Sequence, residues 1–380
     1  MKVEDIKPYY DVYSSLKAIY WLKDIERIKN GEMIPPKFLE VHPEAFCSHR
    51  CKPCAYRYSG WDKHGMEFLK PEWAGTYPDF SRKGPVGKRI PEVSGMPKVV
   101  ALNLPKQMRD EGIDAIEITG SGEPLLYPYI NELLGACCNH LEDIAIVTNG
   151  QFFHRVVDSI SHLTWLRFSV DARYPGTYEE VHGIPCFDQV VDNLRLAVDT
   201  FRDAYIGVSY VVTRDNFGEV YDAVEFYKGL GVRNIRFTFE YEPSGTANLT
   251  TRQVEAVRIM LDEAKGLQDS KFRVFGQVGK IDMFSRPNTD FTFCGYQLLS
   301  WNVGYDCLCY PCCVQIYNPS SAFGDLSKQD LHEIIYGERR RKFIEEFDVT
   351  KCNPCWLREK NIAIETVLAP EKRLGHVRYV

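Results

Sequence analysis

The chain has 380 residues, 44% of them apolar and 26% charged, with a formal net charge of -6. That balance supports one large packed domain plus a small one, and it excludes a disordered or fibrous chain. Acidic overall, it gives no electrostatic reason to expect a nucleic-acid partner. Residues 9–22 are aromatic-rich but carry Asp11 and Lys17 and no small-residue cleavage site, so they read as neither a signal peptide nor a membrane span. A cytoplasmic protein with no membrane partner is expected. The basic run at 339–342 is flanked by Glu338, Glu345 and Glu346 and reads as a solvated helix face.

In chain order, residues 1–35 form a helical extension without a strand pattern. An apolar stretch at 38–41 leads into C-S-H-R-C-K-P-C, which places Cys47, Cys51 and Cys54 at C-x3-C-x2-C spacing. The segment 57–95 is rich in Gly, Pro, Trp and Lys and too long for a connector. From there the pattern is regular. A helix at 99–109 ends at Gly112, and a strand at 113–118 runs into T-G-S-G-E-P at 119–124. Helix 129–141 precedes strand 143–147, and strand 163–169 precedes helix 187–200. Strand 205–212, helix 217–230 and strand 232–239 follow, and 246–290 supplies a connecting helix and strand. Strands alternating with helices predict βα units and a parallel sheet. Every polar cluster of note lies at the carboxyl end of a strand, where such sheets bind ligands.

The chemistry starts from the cysteines. There are 13, an odd number, in a chain too long for a small disulfide scaffold, so clustered thiols point to metal. Cys137, Cys138 and Cys186 are exceptions and read as small buried hydrophobes. Three thiolates on one loop can hold three irons of a cubane and leave the fourth open to another ligand. The competing reading is a zinc knuckle, with His49 or a distant residue as fourth ligand.

The three-cysteine loop, followed some seventy residues later by Thr119-Gly-Ser-Gly-Glu-Pro124, resembles the radical S-adenosylmethionine (SAM) superfamily. The resemblance implies a partial (β/α)6 TIM-like barrel over 36–245, six strands with the cluster loop after the first, and an insertion at 57–95 over its mouth. It implies a [4Fe–4S] cluster on Cys47, Cys51 and Cys54 whose open iron chelates SAM. Ser121, Gly122 and Glu123 stand where the family's "GGE" motif holds the methionine ammonium, with Ser121 replacing its first glycine. Thr148, Asn149, Ser169, Asp171 and Ser209 occupy strand ends that contact SAM in the family, and each also suits a turn or cap. Pro53 replaces the usual aromatic residue before the third cysteine, and Tyr56 is the candidate to meet adenine instead. Arg236, at the end of the sixth strand, is a candidate for a carboxylate.

A second cysteine group lies within 291–380: Cys294, Cys307, Cys309, Cys312, Cys313, Cys352 and Cys355. Residues 301–313 read as two short strands turning over a metal site, and C-N-P-C at 352–355 is a C-x2-C knuckle. This region resembles the SPASM or twitch auxiliary-cluster extension. The resemblance implies one auxiliary [4Fe–4S] cluster on Cys294, Cys312, Cys352 and Cys355, with Cys307, Cys309 and Cys313 as alternates and a structural zinc as the competing occupant. Cys307 stands where the hairpin glycine is expected.

The implied function is reductive cleavage of SAM to a 5′-deoxyadenosyl radical that abstracts a substrate hydrogen. A flavodoxin- or ferredoxin-like reductant would be a partner. Residues 1–35 are too few for a winged-helix leader-binding module, which favours a small-molecule substrate such as a sugar or nucleoside over a peptide. A peptide-modifying enzyme is the alternative, and a non-catalytic iron–sulfur or zinc protein is the alternative from another class.

Overall fold

A computed structural model describes residues 13–54, 56, 95–240, 249–276, 290–352 and 355–369. The segment 57–94, expected to fold over the barrel mouth, lies outside the described residues.

A 3-10 turn at Ser15–Trp21 and helix α1 (Leu22–Lys29) lead to strand β1 (Phe38–Val41). Then come α2 (Lys98–Asp110), β2 (Ala115–Ile118), α3 (Ile130–His140), β3 (Asp143–Thr148) and β4 (Trp165–Ser169). Helices α4 (Pro175–His182) and α5 (Phe187–Thr200) precede β5 (Tyr205–Val212), α6 (Val220–Gly229) and β6 (Asn234–Phe239). After these lie α7 (Thr251–Ala264), β7 (Arg273–Gly276), the short α8 (Tyr296–Leu299), β8 (Ser300–Val303), β9 (Leu308–Tyr310) and β10 (Gly324–Asp325). Helices α9 (Leu331–Tyr336), α10 (Glu338–Glu346) and α11 (Arg358–Leu368) complete the described chain.

The strands form one sheet in the order β10-β9-β8-β1-β2-β3-β4-β5-β6-β7. The six strands read from the sequence are all present and parallel. Two more parallel strands flank them: β7 beside β6, and β8 beside β1. The extension is therefore no separate lobe on a linker. Its hairpin β8–β9 continues the barrel sheet past its first strand, antiparallel from β9 onward.

Strand alternation explains the layers. Leu39, Val41, Ile116, Ile118, Ile144, Ile146, Leu166, Phe168, Ile235 and Phe237 are buried and share one core with Leu104, Leu133, Leu194 and Val224 of the helices. Each such side chain contributes about 1.5–3 kcal/mol. The alternate residues, among them Glu40, Glu117, Arg167 and Arg236, are half-buried and face the other way, into the concave lumen.

Gly112 ends α2 with a left-handed φ of 74°. Its N–H donates to the Arg109 carbonyl (3.1 Å), and that of Ile113 donates to the Met108 carbonyl (2.8 Å), so the last carbonyls of the helix are satisfied.

One surface expectation is corrected. Arg340, read as part of a solvated basic face, is only 2% exposed. Its Nη1 donates to the carbonyls of Ile34 (2.9 Å) and Ile335 (2.8 Å), and its guanidinium stacks on Trp301. The charges around it lie on the rest of α10; this one side chain turns inward because two buried carbonyls need a donor. Among the described residues, no helix is long and apolar enough to cross a membrane.

Candidate active site

The cysteine loop leaves β1 and is laid against the β2 turn. Thr119 N–H donates to the Val41 carbonyl (2.9 Å), Gly122 N–H to Glu44 (3.1 Å) and Glu123 N–H to Phe46 (2.7 Å). Gly122 is required here by close approach. A Cβ on it would stand 2.2 Å from the Phe46 oxygen and 2.4 Å from the Ala45 carbonyl carbon. The Glu44 carboxylate accepts the N–H groups of Ala45 and Phe46 (both 3.1 Å), which fixes the turn just ahead of Cys47. Further on, the N–H groups of Arg50 and Lys52 donate to the His182 and Val181 carbonyls at the end of α4 (both 2.8 Å). Lys52 pairs with Asp215 (2.9 Å) and with Glu180.

Cys47, Cys51 and Cys54 are all half-buried on this loop, and among the described residues no cysteine is disulfide-bonded. His49 N–H donates to the Cys47 sulfur (3.4 Å), and the Cys51 sulfur lies 3.0 Å from His182 Nδ1. His182 Nε2 donates to the Val170 carbonyl (2.7 Å) and stands 3.3 Å from Asp171 Oδ2. Sequence gave no sign of His182, which lies 131 positions from the cysteine it touches. His49, Cys51 and His182 bring their ligand atoms within 4.8 Å of one another, a trio that omits Cys47 and Cys54. Burial holds the His49 ring well below its usual pKa, hence neutral.

The strand-end residues knit together behind the loop. Glu123 is buried, and its carboxylate accepts from Thr148 Oγ1 (2.6 Å), Asn149 N–H (2.8 Å) and Leu125 N–H (3.0 Å). Burial still pushes this carboxyl up to about 7, against the pull of those three donors. Asn149 Nδ2 donates to Ser48 Oγ (3.3 Å), tying β3 to the cysteine loop. Ser169 and Ser209 share a hydrogen bond at 3.2 Å across β4 and β5. Asp171 has a left-handed φ of 54°, and its Oδ1 accepts the Val211 N–H (2.6 Å). Ser121 Oγ shares a hydrogen bond (2.9 Å) with the hydroxyl of Tyr317, a residue of the extension. Tyr56 sits among Tyr310, Tyr317 and His42. Burial and the nearby Glu40, Cys313 and Cys54 hold its phenol well above its usual pKa.

In the extension, Cys294, Cys312 and Cys355 share a small apolar cluster with Phe291, Tyr296 and Val349. Cys352 lies close enough to act electrostatically on Cys294 and Cys312. Gln315 Nε2 donates to the Cys352 sulfur (3.3 Å) and Asn361 Nδ2 to that of Cys355 (3.7 Å). Burial pushes the Cys352 thiol up to about 11 and that of Cys294 up to about 12. Only a cation among them would make several thiolates affordable here. Cys307 and Cys309 lie elsewhere, in the main core. Burial and Asp306 raise their thiols. Cys313 stands beside Cys312 but also feels Glu40, Glu117 and Lys360, so it borders the lumen as well.

The comparisons agree with this geometry. A model of the radical SAM superfamily matches residues 43–227, and one of the SPASM iron–sulfur cluster-binding domain matches 294–356. A probable GTP 3′,8-cyclase of Saccharolobus solfataricus is 27% identical over 160 residues, 41% of this chain and 51% of that protein. The match thus spans about half the length of that curated relative. Among solved structures, Streptococcus suis SuiB bound to its precursor peptide SuiA superposes with a TM-score of 0.60 at 14% identity, covering 94% of this chain and 78% of SuiB. The protein anSMEcpe with bound AdoMet gives 0.56 at 16% identity, covering 86% and 89%. At these identities the two structures share the fold. [4Fe–4S] clusters and SAM are the cofactors that go with this pair of domains. The chain belongs to the radical SAM superfamily and carries a SPASM-type iron–sulfur extension toward its C-terminus.

Proposed function

We propose that the protein reductively cleaves SAM and uses the product radical to abstract a hydrogen from a small-molecule substrate, with an auxiliary [4Fe–4S] cluster assisting redox chemistry or substrate binding. Cys47, Cys51 and Cys54 would hold a [4Fe–4S] cluster that, when bound, would supply the electron, drawn from an external reductant, for cleavage of the sulfonium C5′–S bond of SAM to methionine and a 5′-deoxyadenosyl radical. Ser121, Gly122 and Glu123, with Thr148 and Asn149, would border the methionine end of SAM. Ser169, Asp171 and Ser209 would border the ribose, and Tyr56 the adenine. In the extension, Cys294, Cys312, Cys352 and Cys355 would hold the auxiliary cluster, and Cys313 remains the alternate beside them.

The observation that carries this reading is the junction of cysteine loop and strand ends. Hydrogen bonds from Gly122, Glu123 and Asn149 fasten the loop directly over the carboxyl edge of the parallel strands. A ligand held by the loop therefore meets the strand-end side chains. The curated relative named as a GTP cyclase supports a small substrate; SuiB, solved with a precursor peptide, supports the peptide reading as second. The test is anaerobic reconstitution, a chemical reductant and detection of 5′-deoxyadenosine by mass spectrometry. Wild-type protein should form it, and the Cys47→Ala, Cys51→Ala, Cys54→Ala triple variant should not. Formation by the triple variant refutes the site; none by the wild type moves the chain to a non-catalytic iron–sulfur or zinc protein.

A further inference from the structure

The lumen beneath the cysteine loop holds charge of both signs. Glu40 of β1 and Glu117 of β2 are register partners, and Arg167 of β4 and Arg236 of β6 belong to the same inward set. Lys360 of α11 acts on Glu117 and Arg236 from the extension side, its ammonium over the Tyr296 ring at 5.1 Å. Glu117, Arg167, Arg236 and Lys360 are each half-buried rather than packed into the core.

Glu40 meets His42 Nε2 (3.1 Å) and Arg236 lies over the Tyr13 ring (4.8 Å), whereas Glu117, Arg167 and Lys360 are near the others without pairing with them. Among the described residues, Glu117, Arg167 and Lys360 make no ion pair, and Arg167 Nε, buried, makes no hydrogen bond. Asn302 of β8 is the register neighbour of Glu40 on its other side, so it faces the same way. It is 0% exposed, and neither its amide nitrogen nor its amide oxygen has a partner among the described residues. Half-buried charges and buried amides without partners are destabilising, ions most of all. A fold keeps such a set where something else completes it. Burial drives the Glu117 carboxyl upward and the Lys360 ammonium downward, the strain of charge waiting for a counter-charge.

We propose that this lumen binds an amino-acid-like zwitterion that carries a second anionic group. Its carboxylates would meet Arg167, Arg236 and Lys360, and its ammonium would meet Glu117 and Glu40. Two guanidinium forks and an ammonium against two carboxylates suit a ligand with more negative than positive charge. The proposal rests on the small-molecule reading above and gives its substrate a chemical class.

The test is titration calorimetry on the reconstituted full-length protein under anaerobic conditions, with SAM present. The probes are L-glutamate and O-phosphoserine, then glutarate, which lacks the amine, and putrescine, which lacks the acids. The proposal expects the two zwitterions to bind and the other two to bind at least about tenfold more weakly, the loss of one charge-assisted contact. Arg167→Gln should weaken glutamate about tenfold or more, and Arg167→Lys, which keeps the charge but loses the fork, should fall between. Glu117→Gln should close the gap between glutamate and glutarate. Circular dichroism melts confirm that each variant folds. Glutarate binding as tightly as glutamate, unaltered affinities in all three variants, or no binding of any probe overturns the proposal. SAM cleavage by the wild-type protein is scored separately, so failure of the radical reading stays distinct from failure of the ligand class.

Discussion

Gly122→Ala tests how the cysteine loop is held. The glycine φ lies outside the left-handed region, so alanine introduces no backbone strain and the whole effect is steric. Its methyl would stand 2.2 Å from the Phe46 oxygen and 2.5 Å from the Ala45 oxygen, and both are backbone atoms. Reaching even the 3.0 Å limit of real contacts requires an opening of about 0.8 Å. That opening stretches the bonds from Gly122 to Glu44 (3.1 Å) and from Glu123 to Phe46 (2.7 Å) past useful length. Overpacking of about 1–3 kcal/mol, with two weakened buried bonds of about 1 kcal/mol or more each, gives about 3 kcal/mol at the low end. Release of residues 44–46 is the cheaper response, and Cys47 follows them. The assay is iron per chain after reconstitution: the variant should hold about four irons where the wild type holds about eight, with the auxiliary group retained. Gly135→Ala is the control, since nothing lies within 4 Å of its Cβ and it sits inside α3. It should keep all the iron and stabilise by about 0.5–1 kcal/mol. A Gly122→Ala protein with full iron and an unchanged melting temperature would refute this account of the loop.

Two further outcomes follow from the site. Glu123 has a folded pKa of about 7 against an ordinary 4.5, so its contribution is present below about pH 4.5 and is lost as pH rises toward 7, up to about 3 kcal/mol. Glu123→Gln removes that slope; wild-type and variant stability curves that run parallel from pH 4.5 to 7.5 would show the carboxyl does not titrate there. In the extension, Cys352→Ala should lower iron by about four per chain. Cys309→Ala, a change in the main core, should leave iron unchanged and only loosen packing. Equal iron loss in both would place Cys309 among the ligands.

The strands were legible because their apolar alternation is strong; the spans 187–200 and 205–212 coincide with α5 and β5. The cysteine loop was legible because its spacing is local. The lumen was only half legible. L-E-V, I-E-I, L-R-F and I-R-F each set one charge between apolar residues within a strand, and Arg236, expected at the end of its strand, is the third residue of β6. Sequence reading singled out Arg236 and passed over Glu40, Glu117 and Arg167. Alternation shows that such a residue opposes the core face, but it does not say whether that face meets water or a closed lumen. His182, Tyr317 and Lys360 were illegible for another reason: each meets its site across a long stretch of chain that only the fold brings together. Strand β8 was read as a short strand, but its pairing with β1, more than 250 positions upstream, was not.

That pairing has a consequence for how the two cysteine groups communicate. Because β8 lies directly against β1, the extension shares its first hydrogen-bond ladder with the strand that delivers the cysteine loop. Tyr317 reaches back from the extension to Ser121 at the end of β2, and Cys313 sits between the auxiliary cysteines and the lumen acids. The walls of the lumen thus come from both halves of the chain: Glu40, Glu117, Arg167 and Arg236 from the barrel, Asn302 and Lys360 from the extension. A molecule filling it would touch both, and its affinity should depend on each. Loss of the auxiliary group would then weaken ligand binding as well as any electron transfer. An extension acting only as an electron conduit would leave binding intact when its cysteines are removed, so Cys352→Ala assayed by glutamate titration separates the two roles.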